Sequence, residues 1–146
     1  MDKDFYTFRG YRIKNQEVLS PSMEDYIEMI YRLSLEKDVV RASDLSESLH
    51  VQPPSTTKMV KRLSKSGYVY YEKYGQIKLT KIGNEIGEYL LFRHKTVYNF
   101  LQLIGVKDNL LEETEKIEHA ISADTLERIS NLTTFLNNCP EYIKNN

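Results

Sequence analysis

The sequence predicts a mainly α-helical protein: an N-terminal winged helix-turn-helix domain with a small β-hairpin as its wing, followed by an all-α domain. Two short helical segments joined by a tight turn, and an alternating apolar run directly after them, predict the first domain. The second is predicted because the apolar residues return to a helical period after Lys81 and keep it almost to the C-terminus. The expected ranges are an arm at 1–20, the winged helix at 21–80 and the helical domain at 81–146.

Start and stop signals predict the helices of the winged-helix domain. Ser22 has the character of an N-cap, so a helix should begin there and end at about Lys37. The next helix should begin at 43–44 and lead into a turn at 51–52. The third is expected over 53–67, because prolines stand at its start and a glycine at its end.

Beyond the third helix the apolar period changes from helical to alternating. Val69 and Tyr71, and then Ile77 and Leu79, alternate around residues 74–76 in a run rich in strand-forming residues. This pattern predicts a short hairpin. Its position directly after a helix-turn-helix makes it the wing.

The remaining chain should form three helices. A long helix is expected from Lys81 to about Gly105, then two more at about 110–120 and 122–138, with Pro140 closing the last. The last helix has an apolar face of Leu126, Ile129, Leu132 or Thr133, and Leu136. Because this domain is too small for a large core of its own, we expect it to be a dimerisation domain that buries this face in a homodimer.

Opposite charges are concentrated in different parts of a chain whose net charge is only −1. The segment from Val51 to Lys81 is basic, with Lys58, Lys61, Arg62, Lys65, Lys73, Lys78 and Lys81 against Glu72. The segment from Asp108 to Glu127 is acidic, with Asp108, Glu112, Glu113, Glu115, Glu118, Asp124 and Glu127 against Lys116. This separation indicates a polyanion-binding module joined to a cation-binding one.

The sequence also indicates the cellular compartment of the protein. No apolar run approaches the roughly 18 residues that a membrane-spanning helix needs, and the N-terminus lacks the pattern of a signal peptide. We therefore expect a cytoplasmic protein without a membrane partner. The single Cys139 cannot form an intrachain disulfide.

The third helix has the surface of a DNA-recognition helix. Met59, Val60 and Leu63 are spaced to face inward, which leaves hydroxyls and cations outward, where they can reach base edges and phosphates in a major groove. The candidate DNA-binding residues are Ser55, Thr56, Thr57, Lys58, Lys61, Arg62 and Lys65 on this helix and Tyr74, Gln76 and Lys78 on the wing. The alternatives are a solvated basic helix face and, for the wing tyrosines, a stacking platform for single strands.

Three clusters have the spacing of metal ligands on helices. Asp25 and Glu28 have the spacing i, i+3, and Glu115, Glu118 and His119 have the spacing i, i+3, i+4; both spacings place side chains on one helix face. His94 stands between the two clusters in the sequence. Crowded carboxylates repel each other unless a divalent cation neutralises them. Oxygen-rich ligands with imidazole and no thiolate suit Mn²⁺ or Fe²⁺, with Zn²⁺, Co²⁺ or Cd²⁺ as competitors in vitro.

Each of these residues also has a purely structural interpretation. Asp25 can complete a capping box with Ser22, Glu28 can pair with Arg32, and both are expected on the polar side of their helix. His94 continues an apolar stripe and can be a core histidine.

Several motifs together resemble the diphtheria-toxin-repressor-type metalloregulators, and within them the manganese transport regulators of Gram-positive bacteria. The motifs are the run from Pro21 to Glu28, Thr57-Lys58-Met59-Val60, Tyr71-Glu72-Lys73-Tyr74, Arg93-His94 and Ile117-Glu118-His119. The iron-sensing branch has methionine and cysteine where this chain has Asp25 and Glu115, so hard oxygen ligands favour manganese. A second histidine common in manganese regulators is replaced here by Ala120.

The resemblance implies a manganese-activated repressor of manganese uptake genes that binds double-stranded operator DNA as a homodimer, without an organic cofactor. It implies two Mn²⁺ ions per subunit, bound by Asp25, Glu28, His94, Glu115, Glu118 and His119. A metal-independent winged-helix regulator and a dinuclear metallohydrolase stay open as alternatives, although no nucleophile or oxyanion donor stands out for an enzyme.

Overall fold

The computed structural model describes residues 19–145, except for the side chain of Lys73. These residues contain seven α-helices and three short strands. In chain order they are α1 (Pro21–Glu36), β1 (Val40–Arg41), α2 (Ala42–Leu49), α3 (Pro53–Lys65), β2 (Val69–Tyr71), a 3₁₀ turn (Lys73–Gly75), β3 (Gln76–Leu79), α4 (Lys81–Leu103), α5 (Leu110–Glu118), α6 (Ala123–Asn137) and α7 (Pro140–Asn145). The chain divides into two units, of which the first ends at Leu91 and the second begins at Phe92. The predicted arm lies outside the described residues except for Leu19 and Ser20. Within the described range, every helix is too short or too polar to cross a bilayer.

The start of α1 differs from the prediction by its capping residue. The hydroxyl of Ser20, and not that of Ser22, accepts a 3.2 Å hydrogen bond from the amide of Met23. Pro21 occupies the first helical position, where its missing N–H costs nothing. The predicted capping box of Ser22 and Asp25 is therefore wrong.

The predicted hairpin is confirmed, and it belongs to a three-stranded antiparallel sheet in the order β1-β3-β2. β2 pairs with β3 in the register Val69↔Leu79. On its other edge β3 pairs with β1, which the sequence did not predict, in the register Val40↔Ile77. The wing is thus attached to the segment between α1 and α2.

One core holds the helices and the sheet of the first unit together. Its fully buried apolar side chains include Ile27, Ile30, Leu45, Val60, Leu63 and Tyr68. The beginning of α4 packs closely on this core: a Cβ atom at Gly87 would lie 2.6 Å from the Cβ atom of Tyr31, and one at Gly83 would overlap the carbonyl group of Tyr68. Glycine is required at both positions because helix and neighbour leave no room for a side chain.

The second unit is helical, as predicted. Leu126 and Thr133 of α6 are buried whereas Leu132 is 46% exposed, so Thr133 and not Leu132 belongs to the inward face. Pro140 does not only follow α6 but also opens α7, a short helix that the sequence did not predict. The hydroxyl of Tyr142 on α7 donates a 3.1 Å hydrogen bond to the carbonyl oxygen of Leu103 at the end of α4.

Candidate metal centre and nucleic-acid interface

Four of the six candidate ligands lie in the second unit, where two helices bring them together. Glu115, Glu118 and His119, at the C-terminal end of α5, each place a ligand atom within 4.8 Å of the others. His94 reaches the same cluster from α4, with its Nδ1 3.0 Å from Oε2 of Glu118 and 3.7 Å from Oε1 of Glu115. Two carboxylates and two imidazoles from distant parts of the sequence therefore share one site.

Glu118 is the most buried member of this cluster. Its side chain is 1% exposed, whereas that of Glu115 is 46% exposed. Oε1 of Glu118 lies 3.7 Å from Nε2 of His119, whereas the other carboxylate oxygen, Oε2, contacts His94. A buried carboxylate is costly unless a positive charge or hydrogen bonds compensate its desolvation. Carboxylate oxygens with imidazole nitrogens, and no thiolate, are a donor set that fits a divalent cation such as Mn²⁺.

The neighbours of the two histidines differ. The ring of His94 stacks on Tyr98 one helical turn later, with centroids 6.2 Å apart and an interplanar angle of 26°. Nδ1 of His119 lies 3.1 Å from Nη2 of Arg93. Arg93 has no predicted role of its own, although its position between Leu90 and Val97 on an apolar stripe is a signal of burial.

The other two candidate ligands, Asp25 and Glu28, lie on α1 of the first unit. Asp25 is half-buried. Glu28 is buried, which corrects the expectation that it lies on the polar side of its helix, and it forms an ion pair with Arg32. The predicted pairing of Glu28 with Arg32 is thus present in the protein. A carboxylate offers about four lone-pair sites, so its oxygens can bind more than one partner at a time.

The candidate DNA-binding surface is the outer face of α3. Val60 and Leu63 are fully buried and Met59 is half-buried, which leaves the opposite face to solvent. Ser55, Lys58, Lys61, Arg62 and Lys65 are exposed on it and Thr57 is half-buried. At the start of the helix Pro53, Pro54, Thr57, Lys58 and Lys61 line one shallow surface pocket. The arrangement presents cations and hydroxyls along a helix that has no acidic residue in its first turn.

Thr56, which is also a candidate DNA-binding residue, does not share this exposure. Its side chain is fully buried, and its hydroxyl receives a 2.9 Å hydrogen bond from Ser46 and lies 3.4 Å from the hydroxyl of Tyr26. The spacing to Val60 and Leu63, four and seven residues later, is the signal that places Thr56 on the inner face. Its role is to join α3 to α1 and α2.

The tip of the wing is formed by an exposed aromatic residue with an unusual backbone. Tyr74 is 91% exposed and has φ 63°, in the left-handed region that residues with a Cβ atom avoid. Arg41 donates a hydrogen bond from Nη1 to the carbonyl oxygen of Tyr74. Gln76 is half-buried opposite Arg41 in the sheet, and Lys78 is exposed with its Nζ 4.0 Å from a carboxylate oxygen of Glu72.

Two family models match this chain in succession. Residues 18–77 match the iron dependent repressor, N-terminal DNA binding domain, and residues 80–144 match the iron dependent repressor, metal binding and dimerisation domain. The chain is also 47% identical over 117 residues to the HTH-type transcriptional regulator MntR of Shouchella clausii, an alignment that covers 80% of this chain and 82% of that protein.

Solved structures share the same fold. The manganese regulator SloR is similar with a TM-score of 0.70 and 28% identity, over 80% of this chain and 55% of that one. ScaR with bound Zn²⁺ is similar with a TM-score of 0.65 and 27% identity, over 77% of this chain and 54% of that one. This chain thus spans about half the length of these two solved proteins. Both matched models describe repressors, which are regulators of transcription and not enzymes. The dinuclear metallohydrolase alternative is therefore excluded. With both of its domain models matched in order, the chain belongs to the iron-dependent repressor family of transcriptional regulators.

Proposed function

We propose that this protein is a manganese-activated transcriptional repressor that binds operator DNA as a homodimer and controls manganese uptake genes. The observation that carries the proposal is the cluster in which the carboxylate of Glu118, 1% exposed, approaches the imidazoles of both His94 and His119. A buried carboxylate is costly unless it is paired, and a bound cation would provide the compensating charge. Similarity to the MntR regulator and to the manganese regulator SloR supports manganese as that cation.

The proposed ligands are hard donors. They are Asp25, Glu28, His94, Glu115, Glu118 and His119, which we propose bind two Mn²⁺ ions per subunit. A bound divalent cation supplies the positive charge that cancels the repulsion among the carboxylates. Because the set contains no thiolate, we expect Mn²⁺ or Fe²⁺ in the cell, while Zn²⁺, Cd²⁺ and Co²⁺ bind in vitro; ScaR has been solved with Zn²⁺.

The proposed DNA contacts lie on α3 and the wing. The exposed cations Lys58, Lys61, Arg62 and Lys65 neutralise phosphates, whereas Ser55 and Thr57 lie near the end of the helix that can approach base edges. Tyr74, Gln76 and Lys78 extend the contact to the wing. In a two-fold dimer, two copies of α3 read half-sites separated by about one helical turn of DNA.

We further propose that metal and DNA binding are coupled because ligands are contributed by both units. Asp25 and Glu28 belong to the unit that contains α3, and the other ligands to the unit that matches the dimerisation domain. When ligand residues of both units bind the same metal ions, they restrict the distances that the two copies of α3 can adopt in a dimer. Coupling free energies of this kind are about 1–3 kcal/mol, or roughly 5- to 150-fold in affinity.

The test is a DNA-binding isotherm with the full chain. A duplex operator is first selected from a random pool in the presence of Mn²⁺, and its affinity is then measured by fluorescence anisotropy with Mn²⁺, with Mg²⁺ at the same concentration, and with a chelator. We expect tight binding with Mn²⁺ alone. Mg²⁺ separates specific coordination from general screening of charge. Equal affinity in all three conditions would contradict the proposal and favour a metal-independent regulator.

A further inference from the structure

Arg93 is a buried cation beside one of the candidate ligands. It is 3% exposed, lies on α4 one residue before His94, and approaches Nδ1 of His119 to 3.1 Å with its Nη2 atom. A guanidinium nitrogen can only donate a hydrogen bond. Nδ1 of His119 is therefore the acceptor, and the hydrogen of this imidazole is on Nε2, which faces the carboxylates of Glu115 at 3.8 Å and Glu118 at 3.7 Å.

This arrangement is incompatible with metal ligation by His119. A metal-bound imidazole uses the lone pair of one nitrogen and has a hydrogen on the other. If Nε2 held a metal ion, Nδ1 would bear a hydrogen directed at the N–H group of Arg93. If Nδ1 held the ion, the guanidinium would occupy the place of the ion. In either case the hydrogen bond between Arg93 and His119 has to break before His119 can become a ligand.

His94 has the opposite arrangement. Its Nδ1 lies 3.0 Å from Oε2 of Glu118, so Nδ1 donates to the carboxylate, and in the neutral imidazole the lone pair is then on Nε2. The ring is also stacked on Tyr98. Nδ1 of His94 is thus bonded to a carboxylate, whereas Nδ1 of His119 is bonded to the guanidinium of Arg93.

We propose that Arg93 is an internal competitor for the metal: it occupies His119 in the metal-free protein and so raises the metal concentration at which the site fills. This inference rests on the proposed metal site and concerns its affinity. Arg93 acts through His119 and is a positioning residue and not a ligand.

The test compares Mn²⁺ affinity in three full-length proteins. Arg93→Met removes the charge and the donor but keeps the volume of the stem, and Lys95→Met removes the same charge from an exposed position on the same helix. We expect Arg93→Met to bind Mn²⁺ about tenfold more tightly than the wild type, the scale on which outer-shell partners affect metal affinity. Lys95→Met should differ by less than about twofold, since exposed charges are screened. Equal or weaker binding by a folded Arg93→Met protein overturns the inference.

A second measurement uses the unaltered protein and does not depend on the variant folding. Long-range ¹H–¹⁵N spectra of the metal-free wild type report the tautomer of His119, which is assigned by comparison with His119→Gln. The Nε2–H form supports the inference, and the Nδ1–H form overturns it. Failure of the proposed function would look different, because the wild type itself would then bind no Mn²⁺ whatever the tautomer.

Discussion

Nη1 of Arg41 donates a 2.5 Å hydrogen bond to the carbonyl oxygen of Tyr74, and this contact joins the N-cap residue of α2 to the tip of the wing. Arg41 also pairs with Gln76 in the sheet, and its amide donates to Asp44 of α2 at 2.8 Å. The wing and the first helix of the helix-turn-helix are therefore held by one residue. This contact helps to keep Tyr74 in a conformation that costs free energy.

Replacing Tyr74 with asparagine should separate folding from DNA binding. Asparagine tolerates the left-handed conformation that Tyr74 adopts at φ 63°, so we expect Tyr74→Asn to keep or raise the free energy of unfolding, by up to about 1 kcal/mol. DNA affinity should fall by about 1 kcal/mol because an exposed wing contact is lost. Urea denaturation and anisotropy measure the two effects. Tyr70→Asn is the control, because Tyr70 is exposed on β2 but absent from the proposed contacts; it should lose stability and keep DNA affinity.

Thr56 and Thr57 are neighbours with different expected roles. Thr56→Val should lower the free energy of unfolding by about 1–3 kcal/mol, because the hydroxyl of Ser46 loses its buried acceptor. Thr57→Val removes a half-exposed hydroxyl and should change stability much less, but it should weaken DNA binding. Both are measured by denaturation and by anisotropy under conditions in which each protein is folded. A Thr56→Val protein that is fully stable yet deficient in DNA binding would contradict the assignment of Thr56 to the core.

Lys61 is proposed to contact a phosphate. Lys61→Ala should lower affinity for all duplexes alike and reduce the slope of log affinity against log salt by about 1. Lys107→Ala, an exposed lysine of the second unit, is the matched control and should leave the slope unchanged. If Lys61→Ala changes preference among sequences while the slope stays the same, Lys61 reads bases and not the backbone.

Glu118→Gln tests the metal centre with almost no change of volume. We expect Mn²⁺ affinity to fall by about tenfold or more, because a buried charged donor is lost. The metal-free protein should keep its stability or gain some, since an amide is less costly to bury than a carboxylate. The Mn²⁺-induced rise in Tm reports the first effect, and Tm in chelator reports the second. Glu112→Gln, at an exposed position of α5 paired with Lys116, should leave the metal-induced shift unchanged.

Asp44 should make stability depend on acid pH. A hydrogen bond from Lys37, and then one from the amide of Arg41, hold the pKa of Asp44 below its ordinary value of 3.8. The folded protein thus favours the charged form, and the stabilisation is present above 3.8 and lost as pH falls through the lowered pKa. Asp44→Asn should cost about 1 kcal/mol near neutral pH and progressively less on acidification. Urea titrations of both proteins over this range measure the difference, which should not grow as pH falls.

The hairpin and the long helices could be predicted because their apolar periods extend over enough residues to distinguish a strand from a helix. β1 could not, because Val40 and Arg41 are too few to show a period, and the strand exists only through its pairing with β3. The two errors at prolines have a common cause. Pro21 and Pro140 each occupy the beginning of a helix, so the cap precedes Pro21, and Pro140 opens α7 as well as following α6.

The candidate metal centre was predicted as a set of residue types, but its network could not be. Spacing places Glu115, Glu118 and His119 on one face of a helix, yet spacing does not indicate that Glu118 is buried and Glu115 exposed. The contact of Arg93 with His119 joins residues 26 positions apart and depends on how α4 packs on α5. The apolar period of a single helix gives no information on a contact between two helices.

The close approach of α4 to Tyr31 also bears on how alleles of this gene should be interpreted. In a saturation library scored by reporter expression, Gly83 and Gly87 should tolerate almost no substitution, although neither provides a donor atom to an ion or a nucleotide. Derepressed clones at these codons would reflect collapse of a helix contact. Intolerance at a codon is therefore not sufficient to map a ligand or an operator contact in this protein.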